Sequence, residues 1–330
     1  MSDNIKIQNR QDILPRETGK VKEVALDLLE TGINSCLPER ILRNHLTIEG
    51  DYLVSGGRKF DLENIDRIIV LGAGKASGGM AKAIFDLLGS RIEAGLVITK
   101  NPGESSSYGK IELVEGSHPV PSTSGVRSTK KLLKIARSAT KSDLVICLIS
   151  GGGSSLLTLP QAGIVLEELI DLTGNLLESG ASIEEINSVR KWVSGVKGGR
   201  LAREIHPAKT LSLIISDVVG DNLKYIASGP TVPDYSTPSQ ALAVLEKYDL
   251  RQPRFGSILN FLENVSRDDP KGPVITSEFN DFDVTNQIIA SNKTALSAIS
   301  NEAEKLNINY LTLSSRLVGE SREVGKVLGQ

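Results

Sequence analysis

One pattern recurs along the 330 residues and constrains the fold more than any other feature. A run of Ile, Val and Leu ends in Gly, Ser or Asp, and a segment of helical period follows. It occurs at residues 65–71 (IDRIIVL), then GAGKASGG and MAKAIFDLL; at 94–99 (AGLVIT); and at 144–149 (LVICLI), then SGGGSSLL. It returns at 211–215 (LSLII), then SDVVGD; at 287–290, then SNKTALSAI; and at 310–313 (YLTL), after which Gly319 opens another helix. The runs do not alternate apolar with polar residues, which predicts strands buried on both faces. Helices between them predict parallel βαβ units. The predicted class is α/β, with ligands at the carboxyl ends of the strands.

Two stretches break the rhythm. VKEVALDLLETGI, residues 21–33, carries apolar residues at helical spacing ahead of the first strand. Residues 183–204 read as one helix with no strand of its own. Residues 229–253 hold four prolines and read as loop and short helix, and a domain boundary is placed near Leu250. No repeat of solenoid period and no low-complexity tract is present.

Composition excludes several classes. Hydrophobic residues at 39% and charged residues at 24% are ordinary for a globular protein. Lys+Arg 38 against Asp+Glu 40, a net charge of -2, argues against a nonspecific nucleic-acid binder. No apolar run is long enough for a bilayer, so no membrane partner is expected. SDNIKIQNRQ after Met1 has no apolar core, so no signal peptide is read there. Cys36 and Cys147 cannot make a disulfide scaffold, and the cytoplasm is the expected compartment. Three His and two Cys argue against a His/Cys zinc site. Any metal must be held by carboxylates or by a bound phosphate. The sequence does not set the oligomeric state; a homo-oligomer is compatible with it.

Three strand-end loops carry candidate chemistry. The first is Gly72-Ala73-Gly74-Lys75-Ala76-Ser77. A dinucleotide fingerprint would need glycine where Ser77 stands and an acidic residue at the end of the second strand, which reads Ile98-Thr99-Lys100 instead. Walker A spacing is not met. Two readings remain: an anion site at a helix start, involving Gly74, Lys75 and Ser77, or a tight turn needing glycine. The second loop is Ser150-Gly151-Gly152-Gly153-Ser154-Ser155, whose successive N–H groups and two hydroxyls suit phosphate; a turn capped by Ser154 is the plainer reading. The third, Ser216-Asp217-Val218-Val219-Gly220-Asp221, sets two carboxylates past a strand, fit to hold magnesium, to orient a hydroxyl or merely to cap a turn. Ser228-Gly229-Pro230-Thr231 is a rigid turn that can add a backbone donor.

VRKWVSGVKGGRLARE groups Arg190, Lys197 and Arg200, either toward an anion or as a solvated basic face. Gly198 and Gly199 interrupt the helix, at a cost on the order of 1 kcal/mol each, and predict a close approach by something else. His118 reads as a loop residue held between Ser117 and Pro119, and Trp192 as core.

Taken together, LGAGKASGGMAKA, EGSHPVP, LISGGGSSLL, SVRKWVSGVKGGRLA and IISDVVGDNLKYIASGPTVPD resemble the glycerate 2-kinases found in archaea and many bacteria. The resemblance covers residues 21–234 closely and 286–327 more loosely. It implies a Rossmann-like domain, largely parallel and with helices on both faces, over residues 1–250. The start of a second, smaller MOFRL-type α/β domain would lie in 251–330. It also implies phosphorylation of D-glycerate at the 2-hydroxyl, dependent on ATP and Mg²⁺, to give 2-phosphoglycerate. The family's catalytic lysine falls on Lys75 and its aspartate on Asp217, which is also the candidate metal ligand. The serine and glycine loop from Ser150 to Ser155 would cradle phosphate or the substrate carboxylate, with Arg190 and Lys197 as further contacts. The family's arginine belongs to a GGRN motif that these 330 residues lack, as they lack a TDG-type motif. The expectation is a truncated or reduced second domain and little kinase activity from this chain alone. Some members of the family are labelled hydroxypyruvate reductases. An NAD(P)-dependent reductase, with Lys100 near a 2′-phosphate, is one alternative; a non-catalytic binding fragment is the other.

Overall fold

A computed structural model describes residues 4–14, 20–103 and 105–329. Its strands are β1 Leu46–Glu49, β2 Tyr52–Ser55, β3 Arg58–Asp61, β4 Ile68–Ala73, β5 Ile92–Thr99, β6 Ser107–Tyr108, β7 Ile111–Glu115, β8 Leu144–Ile149, β9 Lys209–Ile215 and β10 Val284–Ala290. β4 to β10 form a seven-stranded sheet in the order β10-β9-β8-β4-β5-β7-β6. All its ladders are parallel except β6 on β7.

The continuous apolar runs do what their pattern predicts. All six residues of β4 and all six of β8 are buried. Alternate side chains feed opposite faces: Ile68, Val70, Leu144, Ile146 and Leu148 join one cluster, and Ile69, Leu71, Val145, Cys147 and Ile149 the other. The helix Ser77–Leu88 covers the first face with Met80, Ile84 and Leu88. Thr123–Ala136 covers the second with Leu132, Leu133 and Ala136. A third cluster, around the fully buried Trp192 and Phe255, is helical and is built by Leu166–Glu178, Ile183–Trp192, Pro238–Lys247 and Gly256–Asn264.

Past residue 250, where the sequence reading starts a second domain, Gly256–Asn264 packs in this third cluster and β10 lies beside β9. Residues 310–313 are not a strand: no described residue pairs with them, and Tyr310, Leu311 and Leu313 are exposed. A β-prone run becomes a strand only where a neighbour takes its N–H and C=O groups. The expected helix over 183–204 is two, Ile183–Trp192 and Arg200–Ile205, because Gly198 and Gly199 both take positive φ. What approaches them is the chain itself. A Cβ on Gly199 would stand 2.7 Å from Val274 Cβ, and one on Gly198 would stand 3.0 Å from Pro273 Cβ.

The small antiparallel sheet β1-β2-β3 is not foreseen from the sequence. It turns Leu46, Leu53 and Phe60 into the first cluster. Ser55 Oγ donates to Gln287 Oε1 at 2.6 Å, and Arg58 pairs with Asp283, tying this sheet to β10.

Candidate active site

β4 is followed in the chain by β5 on one side, while its other neighbour is β8. Strand order therefore reverses between β4 and β8, the point at whose carboxyl edge open α/β sheets have their ligand crevice, and the loops after these two strands lie there, hydrogen-bonded to each other. These are the first two glycine loops.

The first loop is a fastening. Its amides are engaged by the protein: Gly74 N donates to Ile98 O (3.1 Å), Lys75 N to Gly151 O (2.9 Å) and Ala76 N to Ser150 Oγ (3.0 Å). Ser77, expected to hold an anion, is fully buried and donates its hydroxyl to Leu148 O at 3.0 Å. Gly74 has φ +150, and a Cβ there would stand 2.0 Å from Ser150 Oγ, so its glycine serves loop-to-loop contact. The Ser150 hydroxyl, 1% exposed as a residue, is taken up between Ala76 N and Ser77 Oγ. Of the expected anion contacts in this loop, the group left free is the exposed Lys75 side chain. It has no ion partner among the described residues.

The second loop differs. Among the described residues, neither Gly151 N nor Gly152 N has a protein acceptor, while Gly153 N bonds to Ser150 O (3.2 Å). Gly152 is left-handed, φ 82 and ψ -7, which turns successive amides toward one concavity. Gly153 packs against Ala227: a Cβ added to it would stand 2.7 Å from Ala227 Cβ. Ala227 and Ser228 themselves take positive φ (50 and 60), strain that brings Ser228 Oγ to 2.9 Å from Ser154 Oγ.

Three side chains converge on this loop. A Cβ on Gly151 would stand 2.1 Å from Asp217 Oδ2. A Cβ on Gly152 would stand 3.1 Å from Lys75 Cε and 2.9 Å from His118 Cδ2. Asp217 is exposed at the end of β9 and has no hydrogen-bond partner among the described residues. Asp221, by contrast, lies 3.8 Å from Lys293 Nζ. His118 is the residue that the sequence reading left as a loop fixture. Burial first, then the charges of Lys75 and Lys100, hold its imidazole below its usual pKa, with Asp217 opposing. The signal was in EGSHPVP, but nothing in the sequence shows that Gly152 lies under the ring.

The basic cluster divides. Arg200, 3% exposed, donates to the carbonyls of Lys191, Lys197 and Lys271 and is a staple. Lys197, 5% exposed, donates to Leu157 O at 2.6 Å. Burial, then Arg190 and Arg200, push Lys197 down to about 7. Arg190 and Lys197 line a small cavity with Ser154, Ser155 and Thr158. Trp192 is core.

No described cluster of three His, Cys, Asp or Glu side chains forms a metal cage. Magnesium held largely by water and phosphate needs only one or two protein carboxylates, and Asp217 meets that demand. No described helix is long and apolar enough to cross a membrane.

A family model described as a domain of unknown function (DUF4147) matches residues 24–263. The D-glycerate 2-kinase of Thermotoga maritima is 42% identical over 230 residues, which are 70% of this chain and 52% of that protein. The glycerate 2-kinase of Pyrococcus horikoshii is 38% identical over 310 residues, 94% of this chain and 68% of that one. A crystal structure of Thermotoga maritima glycerate kinase superposes with a TM-score of 0.76 at 34% identity, over 93% of this chain and 67% of that one. The chain thus spans about half to two thirds of the length of these curated relatives, 52% and 68%. By the domain model and by these identities, the chain belongs to the glycerate 2-kinase family, matched by DUF4147.

Proposed function

We propose that this chain phosphorylates D-glycerate at its 2-hydroxyl, using ATP and Mg²⁺, and releases 2-phosphoglycerate. What carries the reading is one arrangement. Two amides, of Gly151 and Gly152, lie between a lysine and a carboxylate at the carboxyl edge of a parallel sheet, and among the described residues none of the four has a partner. Phosphoryl transfer asks for positioning and charge stabilisation and little covalent chemistry, and these are the groups it uses. The substrate is suggested by the names of the Thermotoga and Pyrococcus relatives.

In this mechanism the Gly151 and Gly152 amides bind phosphate oxygens. Lys75 neutralises charge that develops as the phosphoryl group moves. Asp217 orients the 2-hydroxyl and accepts its proton, which requires an approach of about 2.6–3.2 Å. Magnesium, when bound with ATP, would be held by Asp217 and the phosphates and would neutralise their charge. The two roles of Asp217 separate by titration: Asp217→Asn raises the magnesium needed for half-maximal rate if it holds metal, and lowers kcat at every magnesium concentration if it is the base. Two cysteines without a disulfide, Cys36 and Cys147, accord with the cytoplasm.

The test is a pair of incubations, one with D-glycerate and MgATP followed by phosphorus NMR, the other with hydroxypyruvate and NADH followed at the nicotinamide band. A 2-phosphoglycerate signal with no NADH oxidation is expected. NADH oxidation without phosphate transfer would establish the reductase instead.

A further inference from the structure

Beside the glycine loop, Arg190 and Lys197 present an unusual excess of unused donors. A guanidinium has five N–H groups and an ammonium three. Among the described residues, Arg190 has no hydrogen-bond acceptor and no carboxylate within ion-pair distance. Lys197 is buried and uses its ammonium on Leu157 O alone. A buried cation normally keeps a counter-charge. The adjacent Lys191 does, with Asp234 at 2.6 Å. Arg190 and Lys197 instead share a cavity lined in part by the hydroxyl-bearing Ser154, Ser155 and Thr158 and in part by the apolar Leu159 and Leu169. The cavity is small and partly open to solvent.

We propose that this cavity is the carboxylate subsite of a 2-hydroxy acid substrate, with Arg190 and Lys197 supplying the missing counter-charge. The inference rests on the glycerate kinase reading and deepens it. Ser154 and Ser155 belong to the same loop, residues 150–155, as Gly151 and Gly152, so a carboxylate in the cavity sits against the loop that Lys75 and Asp217 flank. The depressed Lys197, acted on by Arg190 and Arg200, regains its proton when the anion binds.

The experiment is calorimetric titration of the 330-residue chain with D-glycerate, glycerol and inorganic phosphate, without nucleotide, for wild type and Arg190→Gln. Arg190 is half-buried, so its variant is expected to fold; Lys197 is addressed by the pH dependence of the wild type. D-glycerate binding is expected, with glycerol silent for want of a carboxylate. Arg190→Gln should weaken D-glycerate roughly 10- to 100-fold, the loss of charge-assisted hydrogen bonds. Wild-type affinity should fall as pH rises above about 7, where Lys197 loses its proton. Arg190-dependent binding of other 2-hydroxy acids, without phosphorylation of D-glycerate, would keep the subsite and sink the kinase reading. Undiminished D-glycerate binding by Arg190→Gln would overturn the subsite. So would inorganic phosphate that binds as tightly as D-glycerate and weakens equally in Arg190→Gln.

Discussion

Lys75 and Gly151 show how individual residues make the crevice. Lys75 is exposed and makes no ion pair among the described residues, and its charge has no structural duty there. Lys75→Ala should lower kcat for D-glycerate by about 10²–10³, as loss of one preformed stabilising group does, and leave the melting temperature unchanged. A fall in melting temperature at unchanged specific activity would make the lysine structural. Gly151 is subtler. Its φ is not left-handed, so alanine fits the backbone, but the new Cβ would collide with Asp217 Oδ2 at 2.1 Å. The exposed carboxylate must swing aside. Gly151→Ala should cost about 10²-fold in kcat, the penalty of a displaced catalytic group, at near wild-type stability. Equal rates for the two proteins would show that Asp217 is not held at this position during turnover.

At the scale of elements, the helix Ile183–Trp192 and the loop after Gly229 are joined by one buried ion pair. Lys191 Nζ and Asp234 Oδ1 are 2.6 Å apart, each side chain 4% exposed. Burial pushes the Asp234 carboxyl up, but the Lys191 charge and the Lys191 and Ser236 hydrogen bonds outweigh it and hold the pKa below the usual carboxylate range. A depressed carboxyl pKa means that this stabilisation is present above the ordinary aspartate range and is lost as pH falls through the folded value. Asp234→Asn leaves Lys191 buried without a counter-charge and should destabilise by about 3–5 kcal/mol. Urea unfolding at neutral pH measures it; a midpoint within error of wild type would mean that the pair contributes nothing net. The β1-β2-β3 sheet marks the limit of pattern reading at this scale. Gly56 and Gly57 both take positive φ as a tight hairpin turn requires, so the Gly-Gly pair between Tyr52–Ser55 and Arg58–Asp61 was its signal. Its strands are short and half-exposed, so they lack the continuous apolar run of a strand buried on both faces.

Over the whole molecule, buried mass is uneven. The sheet and its two faces are closed, whereas residues 306–319 have no helix or strand and expose Tyr310, Leu311, Leu313, Leu317 and Val318. Backbone without regular hydrogen bonding and with little burial opens at low free energy. Limited trypsin digestion should cut first at Lys305, Arg316 or Arg322, leaving a fragment with near wild-type circular dichroism. First cleavage inside residues 68–149 would contradict this distribution of stability.

The sequence alone determined the α/β class, the strands at 68–73, 92–99, 144–149, 209–215 and 284–290 within a few residues, and the three loops that meet at the crevice. It could do so because a strand buried on both faces must be apolar throughout, and because a chain that turns tightly beside another backbone needs glycine. Only the tertiary structure decided what each loop does. Gly72-Ala73-Gly74-Lys75 and Ser150-Gly151-Gly152-Gly153 look alike as strings, yet the first has its amides engaged by β5 and by the loop after β8, while the second leaves two free among the described residues. Arg190 and Arg200 are the same residue type ten positions apart, but one is saturated by carbonyls and the other faces a cavity. Whether a donor is free depends on which acceptors the fold brings within about 3 Å of it, and several of those, such as Lys271 for Arg200 and Gly151 for Lys75, are remote in the chain.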